Sequence, residues 1–201
     1  MVLQGDTLWI GSLNGLYTYQ LKSRQLNHFD SKQTGLPHNT IYSIIHTKDN
    51  QIYIGTYNGL CRYVQASGKF ENILLPVNRG GSNLFVNSLL EDTTRQCIWI
   101  GMEGYLFQYN PTIGEMKAIE VFHNNSIKSL ALDGDENLLA GTDNGLYVYQ
   151  NDKEPLQHII HDSRNIQSLT NNIIWNIFSD QEHNILSLIH ISEPTRPLYI
   201  S

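Results

Sequence analysis

The sequence has few charged residues and few cysteines. Asp, Glu, Lys and Arg make up 16% of the 201 residues, the formal net charge is -6, and the basic residues form no cluster. Nucleic acids and anionic membrane surfaces are bound through basic patches, so neither is expected as a partner. Two cysteines, Cys61 and Cys97, can form at most one disulfide, which a chain of this length does not need to hold its core. We expect both to be buried free thiols.

Long apolar runs and enzyme motifs are also missing. No stretch approaches the 18 or more apolar residues of a membrane helix, and Met1 starts no basic or apolar leader. The sequence contains no Gly-x-Ser-x-Gly, no glycine-rich phosphate loop and no Cys-x-x-Cys. We therefore expect no membrane contact by this chain, no catalytic site and no cofactor.

Glycine and tyrosine, by contrast, occur in a repeated pattern. The stretch LWIGSLNGLYTY begins at Leu8, and three similar stretches follow it: IYIGTYNGLCRY from Ile52, IWIGMEGYLFQY from Ile98 and LLAGTDNGLYVY from Leu138. Their first glycines, Gly11, Gly55, Gly101 and Gly141, lie 44, 46 and 40 residues apart. Four copies in register indicate a repeat architecture.

Each copy reads as two strands joined by a tight turn. The first glycine and the Asn-Gly pair after it are predicted to reverse the chain, because Asn and Gly both tolerate positive φ. The third copy has Glu103-Gly104 instead, so its turn must differ. A leucine and a tyrosine follow three residues apart and point to opposite faces, which predicts a strand packed on both sides.

Two further short runs complete each repeat, one before the motif and one after it. Four short strands every 40 to 46 residues are typical of a β-propeller blade. The fold class is therefore all-β, with about four four-stranded blades in a partial or open propeller.

The stretch IYSIIHTKDNQIYIGTYNGLCRY, from Ile41, resembles the two-component regulator propeller repeat. The resemblance extends over about residues 1–185. It implies a seven-bladed parent and a place in the periplasmic sensor region of a membrane-anchored hybrid histidine kinase that responds to an oligosaccharide. It also implies the kinase module of the parent as a partner, and leaves open whether the parent is a homodimer. The alternative is a protein-interaction scaffold without a small ligand.

The repeat also predicts boundaries. Blades are expected at about residues 1–35, 36–80, 81–122 and 123–165, with the start of another at 166–185. Aligning Asp180 with Asp49 puts Leu188 where the next first glycine belongs, so the repeat breaks within that strand. Residues 186–201 are predicted to be a non-native tail.

The repeats differ most at the second residue of each first strand. These residues are Tyr42, Asn87, Lys128 and Trp175. First strands line the channel of a propeller, so the four side chains are predicted at its mouth, beside polar loops that carry Arg79 and Arg164. We predict that these six residues bind a glycan or another small polar ligand. The alternative is that they belong to ordinary solvated loops.

Other candidates are better explained by structure. His158 and His161 are separated by an odd number of positions on a predicted strand, so they face opposite sides and are not expected to bind a metal. Asp133 to Asn137 lack the later glycine and glutamate of a calcium loop. The aromatic series Trp9, Tyr53 and Trp99 is interpreted as packing between blades rather than as a platform for sugars.

Overall fold

The computed structural model describes residues 1–77, 84–119, 125–150, 157–179 and 185–189. Every regular element in these ranges is a β-strand. The strands are β1 (Val2–Gln4), β2 (Thr7–Ser12), β3 (Gly15–Gln20), β4 (Leu26–Phe29), β5 (Ile41–His46), β6 (Ile52–Thr56), β7 (Gly59–Val64), β8 (Lys69–Ile73), β9 (Val86–Asp92), β10 (Cys97–Met102), β11 (Leu106–Asn110), β12 (Glu115–Ile119), β13 (Ile127–Leu132), β14 (Leu138–Thr142), β15 (Gly145–Tyr149), β16 (Gln157–Ile159), β17 (Ile174–Ser179) and β18 (Ile185–Ile189).

Each set of four consecutive strands forms one antiparallel sheet. The sheets are β1 to β4, β5 to β8, β9 to β12 and β13 to β16, called blades 1 to 4 below, and β17 pairs with β18 in blade 5. The first strands β5, β9, β13 and β17 contact one another in series, so the blades are arranged around them. The predicted all-β propeller of about four four-stranded blades is confirmed.

Four clusters of buried apolar side chains fill the spaces between consecutive blades. Alternation along β6 shows how one strand serves two of them. Ile52 and Ile54 pack toward blade 1, whereas Tyr53, between them, packs toward blade 3. The second strands of blades 2 to 4 are buried on both faces because each of these blades lies between two others.

The leucine and tyrosine of the repeat divide in the same way. Leu60 belongs to the cluster between blades 2 and 3, and Tyr63 packs against the cluster between blades 1 and 2. Leu106 and Tyr109 take the corresponding places in blade 3. The prediction that this strand is packed on both sides is confirmed.

The first glycine of each motif makes room for the next blade. A Cβ on Gly101 would lie 2.6 Å from Cγ2 of Ile127, and one on Gly141 would lie 2.7 Å from Cγ2 of Ile174. These β-branched side chains begin the first strand of the following blade. The prediction that this glycine helps to reverse the chain is wrong, because it lies within a paired strand and is required by close packing.

Of each Asn-Gly pair, only the glycine adopts positive φ, and it begins the strand that follows the turn. Gly15, Gly59 and Gly145 have φ of 112°, 116° and 100°, whereas the preceding asparagines do not adopt positive φ. The hydroxyl of Thr56 donates to the carbonyl of Gly59 at 2.9 Å and accepts from the backbone N–H of Asn58 at 3.1 Å. Ser12 and Thr142 bond in the same way in blades 1 and 4.

The turn of the third motif differs, as predicted. Met102 stands where the other three motifs have a hydroxyl, and its N–H donates to the carbonyl of Tyr105 at 2.9 Å. Even so, the turn glycine makes the same bond to the next blade in all four motifs. For example, the N–H of Gly59 donates to Leu84 and that of Gly104 to Asn125, both at 2.9 Å. The turn therefore helps to hold the first strand of the following blade.

At the end of the described chain, Leu188 pairs with Asn176. This is the register that Gly55 has with Ser43 in blade 2, so Leu188 does stand at the glycine position. Most of the predicted tail, residues 186–201, lies outside the described residues. Within the described ranges no helix is long and apolar enough to cross a membrane.

Candidate functional site

The four variable residues share a structural feature that the sequence did not reveal. In the first strands of blades 2 to 5, the pairing with the second strand skips one residue, which is a β-bulge. The skipped residues are Tyr42, Asn87, Lys128 and Trp175, called the bulge row below. A bulge releases a residue from the ladder and redirects its side chain, so its identity can change without altering the register.

Each described bulge is followed by regular pairing and preceded by a buried aliphatic residue. In β13, for example, Ile127 pairs with Thr142 and Ser129 with Gly141, so Lys128 between them has no paired residue in β14. Ile127 is fully buried against blade 3, whereas Lys128 is partly exposed. The buried neighbours hold the backbone, and the bulge residue lies outside the ladder of paired residues.

Two of the bulge side chains, those of Asn87 and Lys128, contact the blade that follows. Nδ2 of Asn87 donates to the carbonyl of Ile127 at 3.0 Å and to the hydroxyl of Ser126 at 3.3 Å. Nζ of Lys128 lies 5.3 Å from the ring centre of Trp175, a cation–π distance. Each of these contacts spans a blade interface.

Tyr42 lies among other aromatic rings. Its ring centre is 6.5 Å from that of Tyr57 and 6.4 Å from that of Phe85, and the last two rings meet edge to face at 4.5 Å. His38 lies 4.8 Å from Tyr57. Tyr42 and Trp175 remain 45% and 51% exposed, so both offer ring surface to solvent.

Sequence reasoning missed Tyr57, Phe85 and His38. Tyr57 precedes the Asn-Gly pair and Phe85 precedes Val86, the first residue of β9. Both lie beside positions that the repeat alignment had singled out. Inspecting these flanking positions for aromatic side chains would have found them.

Of the two predicted arginines, the structure describes Arg164. Arg164 lies in the exposed loop between β16 and β17, where Nε contacts Asp162 at 3.3 Å. Both side chains of this ion pair are exposed, so the pair holds the loop only weakly. Arg79 lies outside the described residues, so its role stays a prediction.

The other candidates make structural contacts in the described residues. The prediction that His158 and His161 share a strand is wrong, because β16 ends at Ile159. His158 stacks on Tyr147 at 4.1 Å, and its Nε2 is 2.5 Å from the carbonyl of Asn144. Trp9, Tyr53 and Trp99 are buried between blades and cannot form a platform for a ligand. Within the described ranges, no group of three His, Cys, Asp or Glu side chains could hold a metal.

The cysteines and the acidic turn are also structural. Cys61 and Cys97 are free and buried, as expected. Burial raises the pKa of Cys97 to about 11 and raises that of Cys61 as well, so neither thiol is ionised at neutral pH. Oδ1 of Asp133 accepts from the N–H groups of Asp135 and Asn137 at 2.9 and 2.8 Å, which caps the turn.

At the opposite ends of the first strands of blades 2 to 4 lie the turns to the second strands. Together with Asp92 at the end of β9, these turns comprise residues 47–51, 92–96 and 133–137, called the turn rim below. Its turns are linked across blades. The N–H of Lys48 donates to the carboxylate of Glu91 at 2.9 and 3.1 Å, and Arg95 donates to the carbonyl of Glu136 at 2.9 Å.

Asp92 is the buried centre of the turn rim. Its carboxylate accepts from Nε1 of Trp99 at 3.0 Å, from the N–H of Arg95 at 2.9 Å and from the Arg95 guanidinium at 2.6 Å. Burial on its own would raise the pKa of Asp92. The hydrogen bonds from Trp99 and Arg95, together with the Arg95 charge, outweigh burial and hold the pKa below its ordinary value.

The blades with their four antiparallel strands define the class of this protein as a β propeller. The family model described as two component regulator propeller matches residues 35–58. No curated protein matches the sequence significantly. The match to this family model lies in the repeat around β5 and β6. The solved structures described next extend the similarity over most of the chain.

Two solved structures of the extracellular domain of BT4673 from B. thetaiotaomicron are 77% identical to the chain, with a TM-score of 0.90. They are described as parts of a putative one component system and of a putative hybrid two component system. Each match covers 92% of this chain and 25% of the solved chain, so this chain spans a quarter of the length of those relatives.

Two more distant structures share the fold. The extracellular domain of the putative hybrid two component system BT3049, also from B. thetaiotaomicron, is 21% identical, with a TM-score of 0.72, over 91% of this chain and 24% of its own. Virginiamycin B lyase from Staphylococcus aureus is 12% identical, with a TM-score of 0.69, and the match covers 94% of this chain and 61% of the lyase chain. At these identities the likeness shows the fold alone and carries no chemistry.

Proposed function

We propose that the chain is a ligand-binding part of the extracellular sensor region of a hybrid two-component system, held in the periplasm by a membrane-anchored parent. The support is the 77% identity to an extracellular domain described as belonging to such a system. In this role the chain catalyses no reaction. It binds a ligand and passes the change in shape to the kinase module of the parent.

The bulge row is the proposed binding surface, with Arg79 and Arg164 on the neighbouring loops. The observation that carries this proposal is that four blades keep the same bulge at the same place while its side chain changes from Tyr to Asn, Lys and Trp. A constant backbone with a varied side chain is what recognition of an asymmetric ligand requires. Amide, ammonium and aromatic groups side by side suit a polar ligand such as an oligosaccharide.

The contacts of the bulge row suggest how binding would reach the rest of the protein. Asn87 bonds to blade 4 and Lys128 lies over Trp175 of blade 5. A ligand that competes for these groups, or bridges them, binds one arrangement of neighbouring blades better than another. Its differential affinity then shifts the population of blade arrangements.

Replacing Tyr42 and Trp175 together by alanine in the full-length parent tests the proposal. We expect the response to the natural ligand to be lost while the circular dichroism spectrum and thermal unfolding stay close to those of the unmodified protein, because both rings are half exposed. An unchanged response would remove the bulge row from consideration.

A scaffold function is the second candidate, and one surface favours it. A groove of about 370 Å³ between the outer strands of blades 2 and 3 is lined by polar side chains, among them Arg62 and Glu71, and by the apolar side chains of Ile73, Leu74 and Met116. Leu74 is 90% exposed. If Leu74→Glu abolishes signalling while the bulge-row variants do not, a protein partner at this groove replaces the small ligand.

A further inference from the structure

We infer that the mouth between blades 2 and 3 contains an aromatic subsite, formed by Tyr42, Tyr57 and Phe85, that stacks on a neutral sugar ring. This inference rests on the proposed function and names the chemistry that one end of the bulge row recognises. His38 completes the surface behind Tyr57.

Three separate segments bring the rings together. Tyr42 is the bulge residue of β5, Tyr57 lies in the hairpin between β6 and β7, and Phe85 lies immediately before β9. Tyr57 and Phe85 are nearly perpendicular, at 87°, with centres 4.5 Å apart. The Tyr42 ring stands 6.4 to 6.5 Å from both, so the three rings line a corner that is open on one side.

The core of the propeller does not explain these rings. None of the three belongs to, or packs against, the four described clusters between the blades. The core residues nearest in sequence are Ile41, Thr56 and Val86, each adjacent to one of the rings and each buried. The backbone at the mouth is therefore fixed by these neighbours and not by the aromatic side chains.

The other described mouths lack such a group. The hairpin position of Tyr57 is occupied by Leu13, Glu103 and Asp143 in blades 1, 3 and 4. The position of Phe85, just before the first strand, is occupied by Ser126 before blade 4 and Ile173 before blade 5. The aromatic corner is thus specific to one blade interface and is not part of the repeat.

The chemistry of the corner selects an uncharged ring. Its side chains present π faces and phenol hydroxyls, and no carboxylate or ammonium group is among them. The apolar C–H face of a pyranose packs on an aromatic face, while its hydroxyls bond at the ring edge. Within the bulge row, the charged side chain is that of Lys128, whose Nζ lies over Trp175.

The test is calorimetric titration of the full chain with tetrasaccharides of galactose, mannose and glucose, and with tetragalacturonate. We expect at least one neutral tetrasaccharide to bind. Tyr57→Ala and Phe85→Ala should each weaken that binding at least tenfold, and Tyr57→Phe should retain most of it. Leu13→Ala, at the same hairpin position in blade 1, is the matched control and should change nothing.

Three results would overturn the subsite. If Trp175→Ala weakens binding but Tyr57→Ala and Phe85→Ala do not, the subsite is wrong and the proposed function stands. If only tetragalacturonate binds, the preference for an uncharged sugar is wrong, but the bulge row remains the proposed binding surface. If no saccharide binds, this inference and an oligosaccharide ligand both fail. If circular dichroism shows that Tyr57→Ala does not fold, saccharide binding by Tyr57→Leu is compared with binding by Tyr57→Phe. Only the variant that keeps an aromatic ring should retain most of the binding.

Discussion

The turn rim and the bulge row lie at opposite ends of the same first strands and are built differently. At the turn rim, Asp92 accepts three hydrogen bonds and Lys48 and Arg95 bond to the next blade. At the bulge row, Asn87 makes two hydrogen bonds, Lys128 makes a cation–π contact, and the rings of Tyr42 and Trp175 are half exposed. From this difference we expect the turn rim to contribute more to stability than the bulge row, which is the proposed binding surface.

The largest expected effect is at the turn rim. Asp92→Asn removes the buried charge that Arg95 faces and leaves the largely buried Arg95 guanidinium without its carboxylate, so the free energy of unfolding should fall by about 3 kcal/mol. Urea unfolding at pH 7 measures this loss. Asp135→Asn, in the exposed part of the corresponding turn of blade 4, should lower it by less than about 0.5 kcal/mol.

The same variant should change the dependence of stability on pH. The pKa of Asp92 is lower in the folded protein than its ordinary value of 3.8. The carboxylate therefore stabilises the fold at neutral pH, and this contribution is lost as the pH falls below 3.8. The difference in stability between the unmodified protein and Asp92→Asn should narrow between pH 5 and pH 2. A constant difference would contradict the assigned hydrogen bonds.

The second largest loss of stability is expected at Gly101, which pairs with Ser88 beside the bulge at Asn87. In Gly101→Ala the new Cβ would lie 2.6 Å from Cγ2 of Ile127, so overpacking should cost about 2 kcal/mol in thermal or urea unfolding. The double variant Gly101→Ala with Ile127→Ala removes the clashing atom. If the double variant loses as much free energy of unfolding as the two single variants together, close packing against Ile127 does not explain why position 101 is a glycine.

A bulge residue should matter less to stability. Asn87→Ala loses two hydrogen bonds between neutral, half-buried groups, and the expected cost is about 1 kcal/mol in urea unfolding. A loss as large as that of Asp92→Asn would make Asn87 a structural residue and would remove the contrast between the two ends of the first strands.

Arg164→Ala gives the smallest expected effect. The ion pair with Asp162 is exposed on both sides, so the free energy of unfolding should change by less than about 0.5 kcal/mol. Ligand binding is the informative measurement for this variant, since Arg164 is predicted to contribute to the binding surface and its described contact is with Asp162.

The repeat itself could be predicted because the spacing of its glycines, leucines and tyrosines follows from the strands and turns within one blade. The motif around Gly55, Leu60 and Tyr63 predicted the hairpin and the two packed faces correctly. The role of Gly55 could not be derived, since its partner, Val86, belongs to the next blade and lies 31 residues away. Packing between repeats depends on how the blades stack, which the pattern within one repeat does not contain.

The candidate site was only partly predictable. Variation between repeats identified Tyr42, Asn87, Lys128 and Trp175, but it could not show that each is a bulge, because a bulge is defined by the register of two strands. Tyr57 and Phe85 were missed since they meet Tyr42 only after three segments come together. Arg164 was chosen for its charge in a polar loop, and its nearest described partner is Asp162 rather than the bulge row.

The most direct test replaces the whole bulge row by serine in the full-length parent and measures its transcriptional response in cells grown on the activating glycan. We predict that the response is lost while the purified protein still folds cooperatively. A full response from the folded variant would contradict the claim that the bulge row recognises the ligand.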